Sequence, residues 1–180
     1  MKILYNYFLT VLLVFSIISC ETDVPDIDTI SPAFSFQITG DGFNRTFSQD
    51  DDLDNIQLNL KAGVSYNFIL GGIDNGGVRN IQFQHTSDYT PITTSIPSPW
   101  VVNNNGLTST IQFTGDITNA FTAQLLPGSF TATLTDEGIV SDSFYIRVED
   151  FGGENGPPFN ITEGILQILI GNHDTEVVLL

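Results

Sequence analysis

From Ala33 onward the chain alternates apolar and polar residues with a period of two, the pattern of strands that bury one face. Phe34, Phe36 and Ile38 fall on one side and Ser35, Gln37 and Thr39 on the other, ahead of a turn at Asp41-Gly42. Ile56, Leu58 and Leu60 repeat the pattern, then Val64, Tyr66, Phe68 and Leu70. The turn Asp74-Asn75-Gly76-Gly77 leads into Val78 to Gln84, with Ile81 and Phe83 on one face. Leu107 to Thr114, the trio Phe130, Ala132 and Leu134, and the trio Phe144, Ile146 and Val148 predict further strands. Ile165 to Ile170 and Glu176 to Leu180 predict two more at the end. No stretch after residue 20 carries a 3.6-residue apolar stripe. Residues 86 to 106 are the least regular, and Pro91, Pro97 and Pro99 confine any strand there to a sheet edge.

Short strands separated by turn signals predict an all-β, antiparallel sandwich. The phrase "AGVSYNFILGGIDNGGVRNIQF" and its later echo "GSFTATLTDEGIVSDSFYIRVEDFGG" resemble immunoglobulin-like modules of bacterial surface proteins. There, a strand ends in an Asp-x-Gly turn and the chain returns along the next strand. The resemblance covers about residues 30 to 150 and lacks that family's cysteine pair. One domain is expected over residues 33–180. Its last strands, residues 161–180, either close the same sandwich or form an appended hairpin.

The first twenty residues follow another logic. Lys2 opens the chain and Phe8 to Ile18 is apolar except for Thr10 and Ser16. That run has the length of a secretory h-region and is short of the roughly 20 residues a membrane-spanning helix needs. It ends at Ile17-Ile18-Ser19-Cys20, which holds the chain's one cysteine. This run resembles the lipobox of bacterial lipoproteins. The resemblance implies a signal peptide over residues 1–19, cleavage between Ser19 and Cys20, and lipid on the Cys20 thiol. Buried acyl chains contribute about 0.8 kcal/mol per CH₂, so several of them make a stable anchor. Residues 20–32 then read as lipidated cysteine and acidic tether. The stretch Glu21-Thr22-Asp23-Val24-Pro25-Asp26-Ile27-Asp28 resembles the acidic segment of surface-exported Bacteroidetes lipoproteins, which implies the outer membrane and the cell surface before its periplasmic face. Asp28-Thr29-Ile30 resembles the O-glycosylation site of the same phylum, which places a glycan on Thr29.

Charge narrows the partners. Five Lys plus Arg stand against 21 Asp plus Glu, a net charge of −16. Nucleic-acid binding needs cations to displace phosphate counterions, so nucleic acid is excluded as a partner. By the lipobox resemblance the membrane is a partner through the lipid on Cys20, and the further partner expected is an unidentified protein or glycan. Tyr89 and Trp100, in the proline-rich stretch, are the candidate contacts for it.

Little in the chain points to catalysis. Gly40-Asp41-Gly42 lacks the remainder of a dinucleotide loop, and Asp150-Phe151-Gly152 lacks the kinase motifs that would accompany it. His85 and His173 have no second ligand at metal spacing. Asp50, Asp52 and Asp54 match the opening of a calcium loop, where alternate carboxylates reach one hard cation. Asn55 and Lys61 stand where that loop needs its glycine and closing glutamate. An end of the sandwich could gather these aspartates with Asp74, Asp136 or Asp150. The expectation is therefore a non-enzymatic binding or envelope-interaction module without an obligatory cofactor. A small hydrolase or glycan-processing accessory and a calcium-dependent adhesive domain remain as alternatives.

Overall fold

The alternation seen in the sequence becomes the core of two stacked sheets. In the computed structural model, which describes residues 21–134 and 138–180, the strands are β1 (Glu21–Thr22), β2 (Ala33–Gly40), β3 (Phe43–Ser48), β4 (Ile56–Lys61), β5 (Ser65–Ile73), β6 (Val78–Thr86) and β7 (Val101–Asn105). They continue as β8 (Thr108–Thr114), β9 (Ala120–Phe121), β10 (Ala123–Thr131), β11 (Val140–Asp150), β12 (Ile161–Gly171) and β13 (Glu176–Leu179). A four-stranded sheet runs β10-β5-β2-β3 and a seven-stranded one runs β13-β4-β12-β11-β6-β8-β7. All pairings are antiparallel except β4 with β12. The short strands β1 and β9 pair on their own. Cys20 and Ser19, and with them the predicted cleavage and lipid attachment, lie outside the described residues, as does Asp136.

Phenylalanines join the sheets. Phe36 of β2 lies 5.3 Å from Phe83 of β6 and 5.6 Å from Phe144 of β11, and Phe130 of β10 lies 5.3 Å from Phe144. All four are fully buried. Each such ring stabilises the fold by roughly 1.5–3 kcal/mol relative to exposure, so this aromatic layer is a main source of cohesion. Close approach across β5 and β10 requires Gly128, because a Cβ there would strike the Phe68 ring.

Prolines sit where ladder chemistry allows. Pro127 lies in β10, an edge strand of the smaller sheet, and β7, which follows the prolines at 91, 97 and 99, is an edge strand of the larger one. Strand β3 has no counterpart among the strands expected from the apolar alternation. Phe43, Arg45 and Phe47 share a face, and the charged Arg45 interrupts the apolar pattern that would have marked a strand. Its guanidinium lies 5.1 Å from the centre of the Phe47 ring and 3.3 Å from Asp51 Oδ1, which reconciles the charge with that face.

The first and last described segments both pack onto the sandwich. Strand β12 is interior to the larger sheet, between β11 and β4, and β13 pairs with the other side of β4. These residues therefore close the sandwich and do not form an appended hairpin. Residues 21–32, expected as a tether, run along one end of the domain. Glu21 and Thr22 pair with Phe121 and Ala120. Val24 is buried with Ala120 and Phe151. Glu154 N donates to Pro25 O, and Asp28 N donates to Gly152 O, each at 2.8 Å. An apolar anchor and satisfied backbone groups hold this acidic segment against the fold despite its charge.

Candidate metal centre

The same strand registers bring three aspartates to one end of the sandwich. The end of β5 pairs with the start of β2 through Ile73 and Ala33. The start of β6 pairs with the end of β11 through Val78 and Asp150, past a bulge at Glu149. The turn after β5, the turn after β11 and the segment leading into β2 must therefore meet. Asp74, Asp150 and Asp28 lie in those places, and one carboxylate oxygen from each falls within 4.8 Å of the others.

Local chemistry orients each carboxylate in the same way. An aspartate at a turn accepts from the backbone N–H two residues on, which fixes the carboxylate against its own turn. Ile30 N donates to Asp28 Oδ1, Gly76 N to Asp74 Oδ2 and Gly152 N to Asp150 Oδ1, each at 2.8 Å. Asn160 reinforces Asp150, its backbone N–H donating to Oδ1 at 2.8 Å and its Nδ2 to Oδ2 at 2.7 Å. A Cβ at Gly76 would displace Asp28 Oδ2 from its place beside Asp74.

Electrostatics sets this group apart. Asp150 is fully buried, Asp74 is 5% exposed and Asp28 is half-buried. Burial, followed by repulsion from Asp150 and Asp28, pushes the Asp74 carboxyl up to about 6, and the N–H groups of Gly76 and Gly77 offset only part of this. No basic side chain among the described residues relieves the repulsion, because each is engaged elsewhere. Arg45 pairs with Asp51, and Lys61 with Asp41 and Asp174. Arg79 pairs with Glu149, and Arg147 with Glu149 and Glu163. Three hard oxygen donors with unrelieved like charge form a donor set suited to Ca²⁺ or another hard divalent cation, which takes oxygen ligands from carboxylates, carbonyls and water.

The dense acidic run behaves differently. Asp50, Asp52 and Asp54 are exposed. Asp52 Oδ2 accepts from Asn55 Nδ2 at 2.8 Å. Asp52 and Asp54 line a shallow depression with Asp51, Tyr145 and Glu163. They are not gathered with Asp74 or Asp150; the group of metal-ligand spacing found among the described residues is Asp28, Asp74 and Asp150.

Trp100 is 6% exposed, packs against Phe113 at 5.8 Å and donates from Nε1 to Leu125 O at 3.1 Å, so it plugs the core. Tyr89 is half-buried against the same core. Thr29 is exposed, in the turn made by Asp28. Sequence reasoning counted Asp28 as tether. The Asp-x-Gly turns at 74–76 and 150–152, each followed by a second glycine, place the same turned carboxylate at the ends of two strands. Compared with protein-family models and with curated proteins, the chain gives no match.

Proposed function

We propose that the chain is a lipid-anchored, non-enzymatic envelope module whose anchored end is locked to its sandwich by calcium. The observation that carries this reading is the meeting of Asp28 with Asp74 and Asp150. Asp28 lies in the segment directly behind Cys20, whereas Asp74 and Asp150 belong to the turns of the domain. A cation bridging them neutralises buried like charges and ties the anchor-proximal segment to the sheets. The lipobox-like Ile17-Ile18-Ser19-Cys20 supports lipid attachment, and the strand order, with the chain passing repeatedly between two largely antiparallel sheets, supports an immunoglobulin-like sandwich. In this reading the module sits on the outer membrane with the domain held close to its anchor, and it contacts a protein or glycan partner.

Extracellular calcium modules bind with dissociation constants of about 10⁻⁴–10⁻³ M, which sets the concentration at which this site should load. The direct test is thermal unfolding with calcium and with chelator. Calcium should raise the melting temperature of the full-length protein, and Asp74→Asn should abolish the rise. A protein whose melting temperature ignores calcium at 10 mM would end the calcium reading. Cys20→Ala tests the anchor separately, since it should release the protein from the membrane fraction.

A further inference from the structure

A second feature lies away from the aspartates, where the larger sheet overhangs the smaller. On β6 and β8 the inward-facing row contains Phe83, His85, Ser109 and Ile111, with His85 paired opposite Ser109. The smaller sheet is continued beyond β10 by the run Pro91 to Thr94. Thr93 N donates to Ser129 O at 2.8 Å and Thr131 N donates to Pro91 O at 3.2 Å. Between this strap and β7 a cleft of about 520 Å³ stays open, walled by Ile92, Ile96, Val102 and Ile111 with His85 and Ser109. Val102 is 42% exposed although it pairs with the buried Ile111, so the edge of the larger sheet lacks cover here.

The protonation of His85 follows from its neighbours. Thr90 Oγ1 donates its one hydrogen to Thr86 O at 3.1 Å. With that hydrogen on Thr86 O, its 3.3 Å contact with His85 Nδ1 is a bond it accepts, and we assign the proton to Nδ1 on this ground. Nε2 is left with its lone pair. It is sealed from solvent and has no hydrogen-bond partner, in a residue only 3% exposed. Burial lowers the pKa of the ring, and the Thr86 and Thr90 backbone and the nearby Asp142 carboxylate offset only part of this, which keeps it neutral. Buried acceptors are almost always paired, and one left unpaired in the wall of a cleft calls for a donor.

We propose that this cleft binds an uncharged ligand with an apolar body and one hydrogen-bond donor, a hydroxyl or N–H, directed at His85 Nε2. Each part of that description has its own source. In a chain of net charge −16, no residue lining the cleft is an acid, lysine or arginine, so nothing there recognises an ion. Four aliphatic side chains set the apolar body, and no Phe, Tyr or Trp lines the cleft as a stacking platform for a sugar ring. Its volume falls in the range of small-molecule sites. Because Nε2 is covered in the free protein, binding includes a small outward shift of its surroundings. The inference does not depend on calcium.

The test uses a matched pair of probes, 4-propylphenol and its methyl ether 4-propylanisole, which differ by the donor. Each is titrated into the full-length protein with ¹⁵N-labelled histidine, in calcium and in chelator alike. The phenol should shift the His85 Nε2 resonance and bind at least about tenfold more tightly than the ether, because the ether leaves the acceptor unpaired. His85→Phe should keep the apolar wall and erase the preference. Val102→Trp, at an exposed edge position, should weaken both probes and serves where the histidine variant fails to fold. Absence of binding by either probe, equal binding of both to the wild type, or a preference that survives in His85→Phe would each overturn the proposal.

Discussion

The run Asp50-Asp51-Asp52-Leu53-Asp54 and the group Asp28, Asp74 and Asp150 are opposite ways of using acidic residues. The first is dense along the chain and dilute in space. Its side chains face solvent or find local partners, Asp51 with Arg45 and Ser48 N, Asp52 with Asn55. The second is scattered over more than a hundred positions and dense in space, where two buried carboxylates and a half-buried one share an end of the sandwich. Repulsion along an exposed loop is screened by water and relieved by rotation. Repulsion among turned, buried carboxylates has no such outlet, and it adds to burial in raising the affinity of Asp74 for a proton. A cation site is legible from convergence, and the count of neighbouring acids says little about it.

The largest effect that would break this comparison is truncation at Asp150. Asp150→Ala strips partners from Gly152 N, Asn160 N and Asn160 Nδ2 at a buried position. It should cost about 4 kcal/mol in urea unfolding, as orphaned buried donors cost roughly 1–3 kcal/mol each. Asp52→Ala should stay within about 1 kcal/mol, because it forfeits a solvent-exposed hydrogen bond. Equal losses at the two positions would erase the distinction.

Next in size is the pH dependence in chelator. The folded-state value for Asp74 lies near 6 and its unfolded reference at 3.8. The folded protein therefore holds the proton more tightly, and the contribution is fully present below about pH 4 and lost as pH rises through about 6. Raising pH from 4 to 7 should remove about 2–3 kcal/mol from this source. Asp74→Asn should flatten that slope and, without calcium at pH 7, make the protein more stable than wild type. A stability profile unchanged by the substitution would show that the carboxylate is not under strain from its neighbours.

Calcium should close the gap between those two proteins. At about 10 to 100 times its dissociation constant, a cation bound only to the folded state contributes about 1.4–2.7 kcal/mol, and the wild type should recover what Asp74→Asn had gained. The smallest effect is expected from the combined change Asp50→Asn, Asp52→Asn and Asp54→Asn. It should leave the calcium response intact and shift stability by less than about 1 kcal/mol, read from the same melting curves.

Much of the sandwich could be read in the chain. Phe34, Phe36 and Ile38, or Tyr66, Phe68 and Leu70, alternate cleanly because one face is buried in the aromatic layer and the other meets water. Strand β3 was hidden by Arg45, whose stem and guanidinium cover Phe47, so burial there is shared between a charged side chain and a ring. The first half of β10 was hidden by Pro127 and Gly128, which an edge strand and a close ring contact explain. The site was less legible for a different reason. Asp74 and Asp150 each announce a turn, but which turns meet depends on β6 pairing with β11 and β2 with β5, information that no local window contains. At Asp28, charge and a nearby proline suggest solvent and hence a tether. Val24 and the backbone bonds of Pro25 and Asp28 to the 152–154 turn decide otherwise.

Calcium titration calorimetry on the chelator-stripped full-length protein near pH 7.5 tests the central claim most directly, run beside Asp74→Asn and the triple asparagine variant at positions 50, 52 and 54. The account predicts one calcium ion per chain for the wild type and for the triple variant, and none for Asp74→Asn. Binding that survives in Asp74→Asn and disappears in the triple variant, or no binding at millimolar calcium in the wild type, would contradict it.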